Sequence, residues 1–244
     1  MLLLAGALTI GLAAAIGGIT GFGNALIATP FMLMAGFDLP YVVFVNLLVG
    51  AITRLHAAYD SRRLIDWRRV GYLGGCSVPG ALAGAAMLAA LPQQQLQITA
   101  GVAVMLCAVA MALPFAGTEP SDPSAGGLAM TGLLGGFLGT TTSLSGPPPV
   151  LLLLRARLPA AQFIADLAAY FVIVNCAAIL ILAAGGQAVA AMLQPQLLLL
   201  VLAGIVGNVA GIVLGKHVPE GAFRRAVLVL VFVAGAMAVW SAVR

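Results

Sequence analysis

Long apolar stretches constrain this chain more than any other feature. Six of them are close to the length of about 20 residues that a helix needs to cross a bilayer. Only 7% of the 244 residues are charged, whereas soluble domains carry about 25%. The sequence therefore predicts an all-α polytopic membrane protein and excludes a soluble enzyme. The predicted spans are 41–59, 69–91, 94–115, 160–184, 195–215 and 223–243.

Two further apolar regions are interrupted in the middle. Region 2–36 contains the run GGITGFGN, and region 126–154 contains the run GTTTSLSGPPP. Glycine exposes the backbone and proline removes an amide donor, so each run is expected to break a helix within the membrane. Such a break is tolerated inside protein or beside a water-filled cavity, but not against lipid. Both breaks are therefore expected to lie inside the protein.

The two halves of the chain look like copies of one another. Gly17 aligns with Gly135, and the segment GALAG that starts at Gly80 aligns with GNVAG that starts at Gly207. A duplication explains these matches, and the alternative is a chance alignment of glycines in apolar sequence. Each repeat would combine one broken Gly/Pro-rich hairpin with three spanning helices. The expected units are a first repeat at 1–115, a polar linker at 116–125 and a second repeat at 126–244.

The basic residues favour hairpins over single crossings. If each broken region enters the membrane and returns on the same side, nine of the eleven Lys and Arg residues share one face. The positive-inside rule makes that face cytoplasmic. Three full spans per repeat then invert the repeats relative to each other, so that the breaks enter from opposite faces. Inverted-repeat transporters bind their substrates near the midplane, where these breaks would meet.

The residues around the breaks are candidate ligands for a small anion. Half-helices starting near Asn24 and at Pro147 would aim their positive dipole ends and uncapped amides at a shared site, and nearby hydroxyls would add donors. The alternative is a pair of kinks packed by small residues. The predicted substrate-binding residues are Gly21, Gly23, Asn24, Thr140, Thr141, Thr142, Ser143, Ser145, Gly146 and Pro147.

Polar residues at membrane depth are candidates for gating or coupling, because ionisable groups there are costly. Snorkelling would also satisfy Arg54, and a packing role is equally open for His56. Asp166 could carry a coupling proton or pair with an arginine of the loop 155–157. Asparagines could line the path or join helices. Those considered are Asn46, Asn175 and Asn208.

Other chemistry has little support in the sequence. The basic run from Ser61 to Arg69 is interpreted as a cytoplasmic anchor with Trp67 at the interface. P-loop, CxxC, HExxH and G-x-S-x-G motifs are absent, and the three cysteines lie in apolar stretches. We therefore expect no catalysis, no metal, no cofactor, no disulfide and no nucleic-acid partner.

Three segments carry a family resemblance. GGITGFGNALIATPFML, GLLGGFLGTTTSLSGPPPVLLLL and the LIDWRR loop resemble the sulfite exporter TauE/SafE family of bacterial membrane transporters, over nearly the whole chain. The chain departs from the family pattern at Asn24 and at 140–142, where glycine is frequent. When the two Gly-rich motifs of the family are placed on this chain, the first falls on Gly17, Gly18, Gly21, Gly23, Ala28 and Pro30. The second falls on Gly135, Gly136, Gly139, Gly146, Pro147 and Pro148.

The resemblance implies a secondary transporter in the bacterial cytoplasmic membrane, with its basic loops cytoplasmic. Its substrate would be sulfite, an organosulfonate or another small organic anion, exported by alternating access around a midplane site. Alternatives are import, a non-sulfur organic anion, or a non-transporting membrane scaffold. Expected partners are the lipid bilayer and a proton or sodium ion for coupling, and the sequence leaves the oligomeric state open.

Overall fold

The computed structural model describes residues 2–92, 122–186 and 194–215, together with isolated positions elsewhere. Throughout these ranges the regular structure is helical, which confirms the predicted all-helical class for them. The predicted spans 94–115 and 223–243 lie outside the described ranges, apart from isolated positions. The helices are α1 (Leu2–Thr20), α2 (Asn24–Met34), α3 (Leu39–Asp60), α4 (Trp67–Ala90), α5 (Ala125–Thr142), α6 (Pro147–Arg155), α7 (Ala160–Ala184) and α8 (Gln196–Gly215).

Four of the described helices are long and apolar enough to cross a membrane. They are α3, α4, α7 and α8, and their bounds differ from the predicted spans by two residues at most. In each half, a long helix and a short helix precede two of these spans. The element order in α1 to α4 thus recurs in α5 to α8.

Polar side chains fix two of the helix starts. The Asp66 carboxylate accepts hydrogen bonds from the backbone amides of Arg68 and Arg69 and so caps α4. The Ser124 hydroxyl accepts from the amide of Gly127 at the start of α5. Side chains of this kind satisfy amides that have no intrahelical acceptor.

Both Gly/Pro-rich runs are helix breaks. Between α1 and α2, Gly21 and Gly23 have φ angles of 77° and 95°, a left-handed conformation that glycine adopts without a Cβ clash. Between α5 and α6, Ser143 turns the chain with φ of 61°. Its amide donates to the carbonyl of Gly139, and the next amide, of Leu144, donates to Leu138. These bonds satisfy carbonyls at the end of α5.

The first broken region begins and ends at the same end of the bundle. Gly6 in α1 lies so close to Phe37, just before α3, that a methyl group on Gly6 would lie 2.8 Å from the Phe37 ring. The starts of α1 and α3 are therefore neighbours, and the chain between them goes in and returns.

The second broken region also begins and ends at one end of the bundle, beside the start of α4. Arg69, at the start of α4, forms ion pairs of 2.9 Å with both Asp122, just before α5, and Asp166, in the second turn of α7. The starts of α4, α5 and α7 therefore lie together. Region 126–154 thus also begins and ends at one end of the bundle.

The two halves interlock through glycine contacts. The most extensive helix contacts join α4 to α5 and α8 to α1. A methyl group on Gly80 would overlap the Leu133 carbonyl, and one on Gly207 would overlap the Gly11 carbonyl. Such close approach of backbones is typical of helix interfaces in membranes. In the centre, α3 packs against α7.

Candidate functional site

A cavity lies where the two helix breaks meet. The space that the centre of a water molecule can reach is about 50 Å³, and a single water needs about 10 to 15 Å³. The cavity therefore has room for a few waters or a small ion. Its walls come from both breaks and from α3 and α7, and include Phe22, Gly23, Asn24, Asn46, Gly50, Arg54, Ser143, Ser145, Gly146, Pro147, Phe171 and Asn175.

The cavity lies along the middle of α3. Asn46, Gly50 and Arg54 are four residues apart, so they occupy one face of the helix. At 1.5 Å per residue, α3 is about 33 Å long, and Asn46 and Arg54 lie about 10 and 22 Å from its start. Asn175 of α7 packs directly against Gly50, because a methyl group there would lie 2.6 Å from its Nδ2 atom.

Arg54 brings to this cavity a positive charge that no carboxylate of the described residues compensates. The residue is only 8% exposed, and its Nη2 atom donates a hydrogen bond of 2.8 Å to the Gly17 carbonyl. None of the carboxylates in the described ranges forms an ion pair with it. Burying a charge without an opposite charge is costly, so this guanidinium is suited to an anionic ligand.

The two half-helices contribute differently to the cavity. In α2 the first-turn amides of Asn24, Ala25 and Leu26 have no preceding turn of helix to accept their hydrogen bonds. In α6 the first turn is Pro147-Pro148-Pro149, which carries no amide hydrogen at all. The predicted amide donors are therefore present in the first turn of α2, after the first break. They are missing from the first turn of α6, after the second break. The α6 dipole remains.

A hydrogen-bond network ties the second break to α2 and α3. The Asn46 amide nitrogen donates to the hydroxyls of Thr29 at 3.1 Å and Ser143 at 3.2 Å. The two hydroxyls are 2.9 Å apart, and the Ser143 hydroxyl donates to the carbonyl of Thr142. Asn46 and Ser143 line the cavity, and this network holds them in position.

Aromatic side chains close the remaining walls. Phe22 from the first break and Phe171 from α7 both lie near Gly146, where a methyl group would be 3.9 and 3.3 Å from their rings. The buried Tyr170 hydroxyl donates to the Ser145 carbonyl at 3.3 Å. This hydrogen bond helps to hold the second break in position. An apolar wall lowers the local dielectric and strengthens the pull of Arg54 on an anion.

Comparison with known protein families agrees with this architecture. The family described as sulfite exporter TauE/SafE matches residues 6–238. The chain belongs to this family. Comparison with curated proteins and with solved structures gave no match. Members of the TauE/SafE family are transporters, so the chain is a multi-pass membrane transporter, and the resemblance noted in the sequence is confirmed.

Most residues predicted to bind substrate in this TauE/SafE transporter do line the cavity. The structure brings together Gly23, Asn24, Ser143, Ser145, Gly146 and Pro147 from the breaks, with Arg54 and Asn175 from the spans. Gly21 lies beside the cavity and supplies the turn. What these residues bind remains a prediction.

The threonines at 140–142 do not reach the cavity. Their hydroxyls donate to carbonyls of their own helix: those of Thr141 and Thr142 to Phe137 and Leu138, at 2.9 and 3.0 Å. Thr140 also donates to Ala81 of α4 at 3.0 Å. The expectation that they add donors around the anion is therefore wrong, because α5 continues to Thr142 and takes up these hydroxyls.

Two other candidate residues of this TauE/SafE transporter, His56 and Asp166, also lie outside the cavity lining. His56 is exposed and pairs with Asp60 at 3.4 Å. Asp166 is fully buried and pairs with Arg69, an arginine that the sequence analysis assigned to a cytoplasmic anchor. Arg69 is itself only 4% exposed, so its side chain forms this ion pair inside the protein. Asn208 joins helices, since its Nδ2 donates to the Ala14 carbonyl.

Sequence reasoning missed several residues at the site. Thr29, Phe22 and Phe171 were not identified, since isolated threonines and phenylalanines are ordinary in apolar helices. Asn46 and Arg54 were already considered in the sequence analysis, and their spacing of eight residues, which places them on one helix face, was a signal that they belong to one site.

Proposed function

We propose that this transporter binds a small anion in the cavity between the two helix breaks and exports it across the bacterial cytoplasmic membrane. The substrate class is sulfite, an organosulfonate or another small organic acid. The observation that carries the proposal is the buried guanidinium of Arg54, which lines the cavity and pairs with no carboxylate among the described residues. The amides of the first turn of α2 would complement it.

Alternating access is proposed from the arrangement of the broken regions. The first begins and ends beside the start of α3, and the second beside the start of α4. Because α4 follows the end of α3 after a short loop, these are opposite ends of the bundle. This supports two inverted repeats that rock about the shared cavity and expose it to each side in turn.

The orientation in the membrane is proposed from the exposed cations. Arg62, Arg63 and Arg68 lie between the end of α3 and the first turn of α4, and Arg155 and Arg157 lie between α6 and α7. All five are at the end of the bundle where α4 and α7 begin. By the positive-inside rule this end is cytoplasmic. A proton or sodium ion remains the proposed energy source.

The test is sulfite flux through purified protein in liposomes, followed in both directions. Arg54→Met should lower flux at subsaturating sulfite by about thirtyfold or more, because truncating one partner of a buried charge pair costs about 2 to 5 kcal/mol. Arg54→Lys, which keeps the charge but loses the planar fork of donors, should retain part of the flux.

The matched control is Arg63→Met, which removes an exposed cation from the loop. It should retain wild-type flux. Undiminished flux in Arg54→Met would remove Arg54 from the site, and equal losses in both variants would reduce its role to general surface charge. Faster release than uptake in right-side-out vesicles is the result expected of an exporter, and the reverse would identify an importer.

A further inference from the structure

The hydrogen-bond network around Asn46 leaves one acceptor unpaired, within the described part of the chain, at a residue that lines the cavity. Asn46 is 3% exposed and lines the cavity. Its Nδ2 atom donates to two hydroxyls, whereas its Oδ1 atom is buried and has no hydrogen-bond partner among the residues that the structure describes. Buried acceptors without donors are rare and call for a partner.

Counting protons favours one orientation of the Asn46 amide. The Ser143 hydroxyl donates to the Thr142 carbonyl, and the Thr29 hydroxyl can donate to the Ser143 hydroxyl at 2.9 Å. With both hydroxyl protons used, the oxygens remain as acceptors for the two amide hydrogens of Asn46. Turning the amide over would leave both N–H groups unpaired, which is worse than one bare carbonyl oxygen.

The cavity therefore offers donors and an acceptor together. Arg54 and the first turn of α2 suit negatively charged oxygens, while the Oδ1 atom of Asn46 suits a hydrogen-bond donor. A fully deprotonated oxyanion presents only acceptors and would leave this oxygen unpaired. We infer that the substrate is an anion that carries its own hydrogen-bond donor. Hydrogen sulfite, a hydroxysulfonate and an aminosulfonate belong to this class, whereas the sulfite dianion does not.

The inference rests on the proposed anion site, and a matched pair of ligands tests it separately. Sulfamate and methanesulfonate are monoanions at neutral pH with the same SO₃ group, and they differ in an NH₂ group against a CH₃ group. Their Kd values are measured from the thermal stabilisation of the purified protein in detergent at matched ionic strength. Sulfamate should bind about tenfold more tightly to the wild-type protein, since a site that pairs with a donor rejects the analogue that lacks it.

Variants assign the preference to its residue. Asn46→Leu, of similar size, should bring the two Kd values to within about twofold of each other. The control is Asn208→Leu, which removes a buried asparagine outside the cavity and should keep the preference. Because the wild-type comparison needs no variant, it tests the inference even if Asn46→Leu fails to fold.

The outcomes separate the two proposals. Equal binding of sulfamate and methanesulfonate, with both lost in Arg54→Met, would overturn the donor inference and leave the anion site intact. Binding of neither ligand, or binding of both that is unchanged in Arg54→Met, would overturn the anion site and the inference with it. A sulfamate preference that persists in Asn46→Leu would overturn the assignment to Asn46.

Discussion

Two buried arginines in neighbouring helices have opposite surroundings. Arg69 at the start of α4 is 4% exposed, and three carboxylates lie within 3.1 Å of its guanidinium. Arg54 in α3 is 8% exposed, and a single backbone carbonyl at 2.8 Å is its hydrogen-bond partner in the described part of the chain. The carboxylates around Arg69 are Asp66, Asp122 and Asp166.

The difference separates a structural charge from a functional one. The charge of Arg69 is neutralised by groups at the starts of three helices, so Arg69 holds α4, α5 and α7 together. The charge of Arg54 has no such partner in the described ranges and borders a cavity. A membrane protein that bears the cost of burying an unpaired charge keeps it for a ligand or a conformational change.

The largest expected effect is on stability, at Arg69. Arg69→Met should lower the free energy of unfolding by about 3 to 5 kcal/mol, because the fully buried carboxylate of Asp166 loses its ion-pair partner and keeps the hydrogen bond from the Asp66 amide. Reversible unfolding in detergent measures this loss. Arg68→Met, the exposed neighbour, is the control and should stay within about 0.5 kcal/mol of wild type. Equal effects in both variants would contradict the structural role of Arg69.

Removing both members of the buried pair should restore much of that stability. The double variant Arg69→Met with Asp166→Leu should recover about 2 kcal/mol relative to Arg69→Met, since apolar side chains can replace a buried ion pair at little net cost. Asp66 and Asp122 remain partly exposed and keep their hydration. A double variant no more stable than Arg69→Met would show that the loss does not come from the orphaned Asp166.

Arg54 should respond in the opposite direction when no ligand is present. Arg54→Met removes a buried charge that pairs with no carboxylate among the described residues. The unliganded protein should therefore be as stable as wild type or more stable by about 1 kcal/mol. The same unfolding measurement, made without sulfite, decides this. A loss as large as that of Arg69→Met would show that Arg54 is a structural residue, as Arg69 is.

The smallest expected effect is at His56, which lies neither among the ion pairs of Arg69 nor at the cavity beside Arg54. His56→Ala breaks an exposed pair with Asp60, and such pairs contribute about 0.2 to 1 kcal/mol. Stability should therefore change by less than about 1 kcal/mol, and sulfite binding should not change. Weakened sulfite binding would return His56 to the candidate coupling residues.

The breaks and the four described spans were accessible from the sequence for a simple reason. Apolar length and the positions of glycine and proline act locally, so the runs before Asn24 and Pro147 show where α2 and α6 begin. The three prolines also show that the first turn of α6 has no amide donors, although the sequence analysis counted them.

Long-range pairing was not accessible in the same way. Arg68 and Arg69 are identical neighbours in the sequence, yet the first is exposed and the second buried. One step along a helix turns a side chain by about 100°, and the partners at Asp122 and Asp166 are distant in the chain. The prediction for the threonines at 140–142 was wrong for the opposite reason, because a local interaction was overlooked. Carbonyls of their own helix accept hydrogen bonds from these hydroxyls.

The central claim is that the charge of Arg54 is reserved for an anionic substrate. The most direct test is a sulfite titration of the wild-type protein and of Arg54→Met, by isothermal titration calorimetry in detergent. We expect saturable binding to the wild type and an affinity at least about thirtyfold weaker in Arg54→Met, with the variant still folded. Equal affinities for sulfite in the two proteins would contradict the claim.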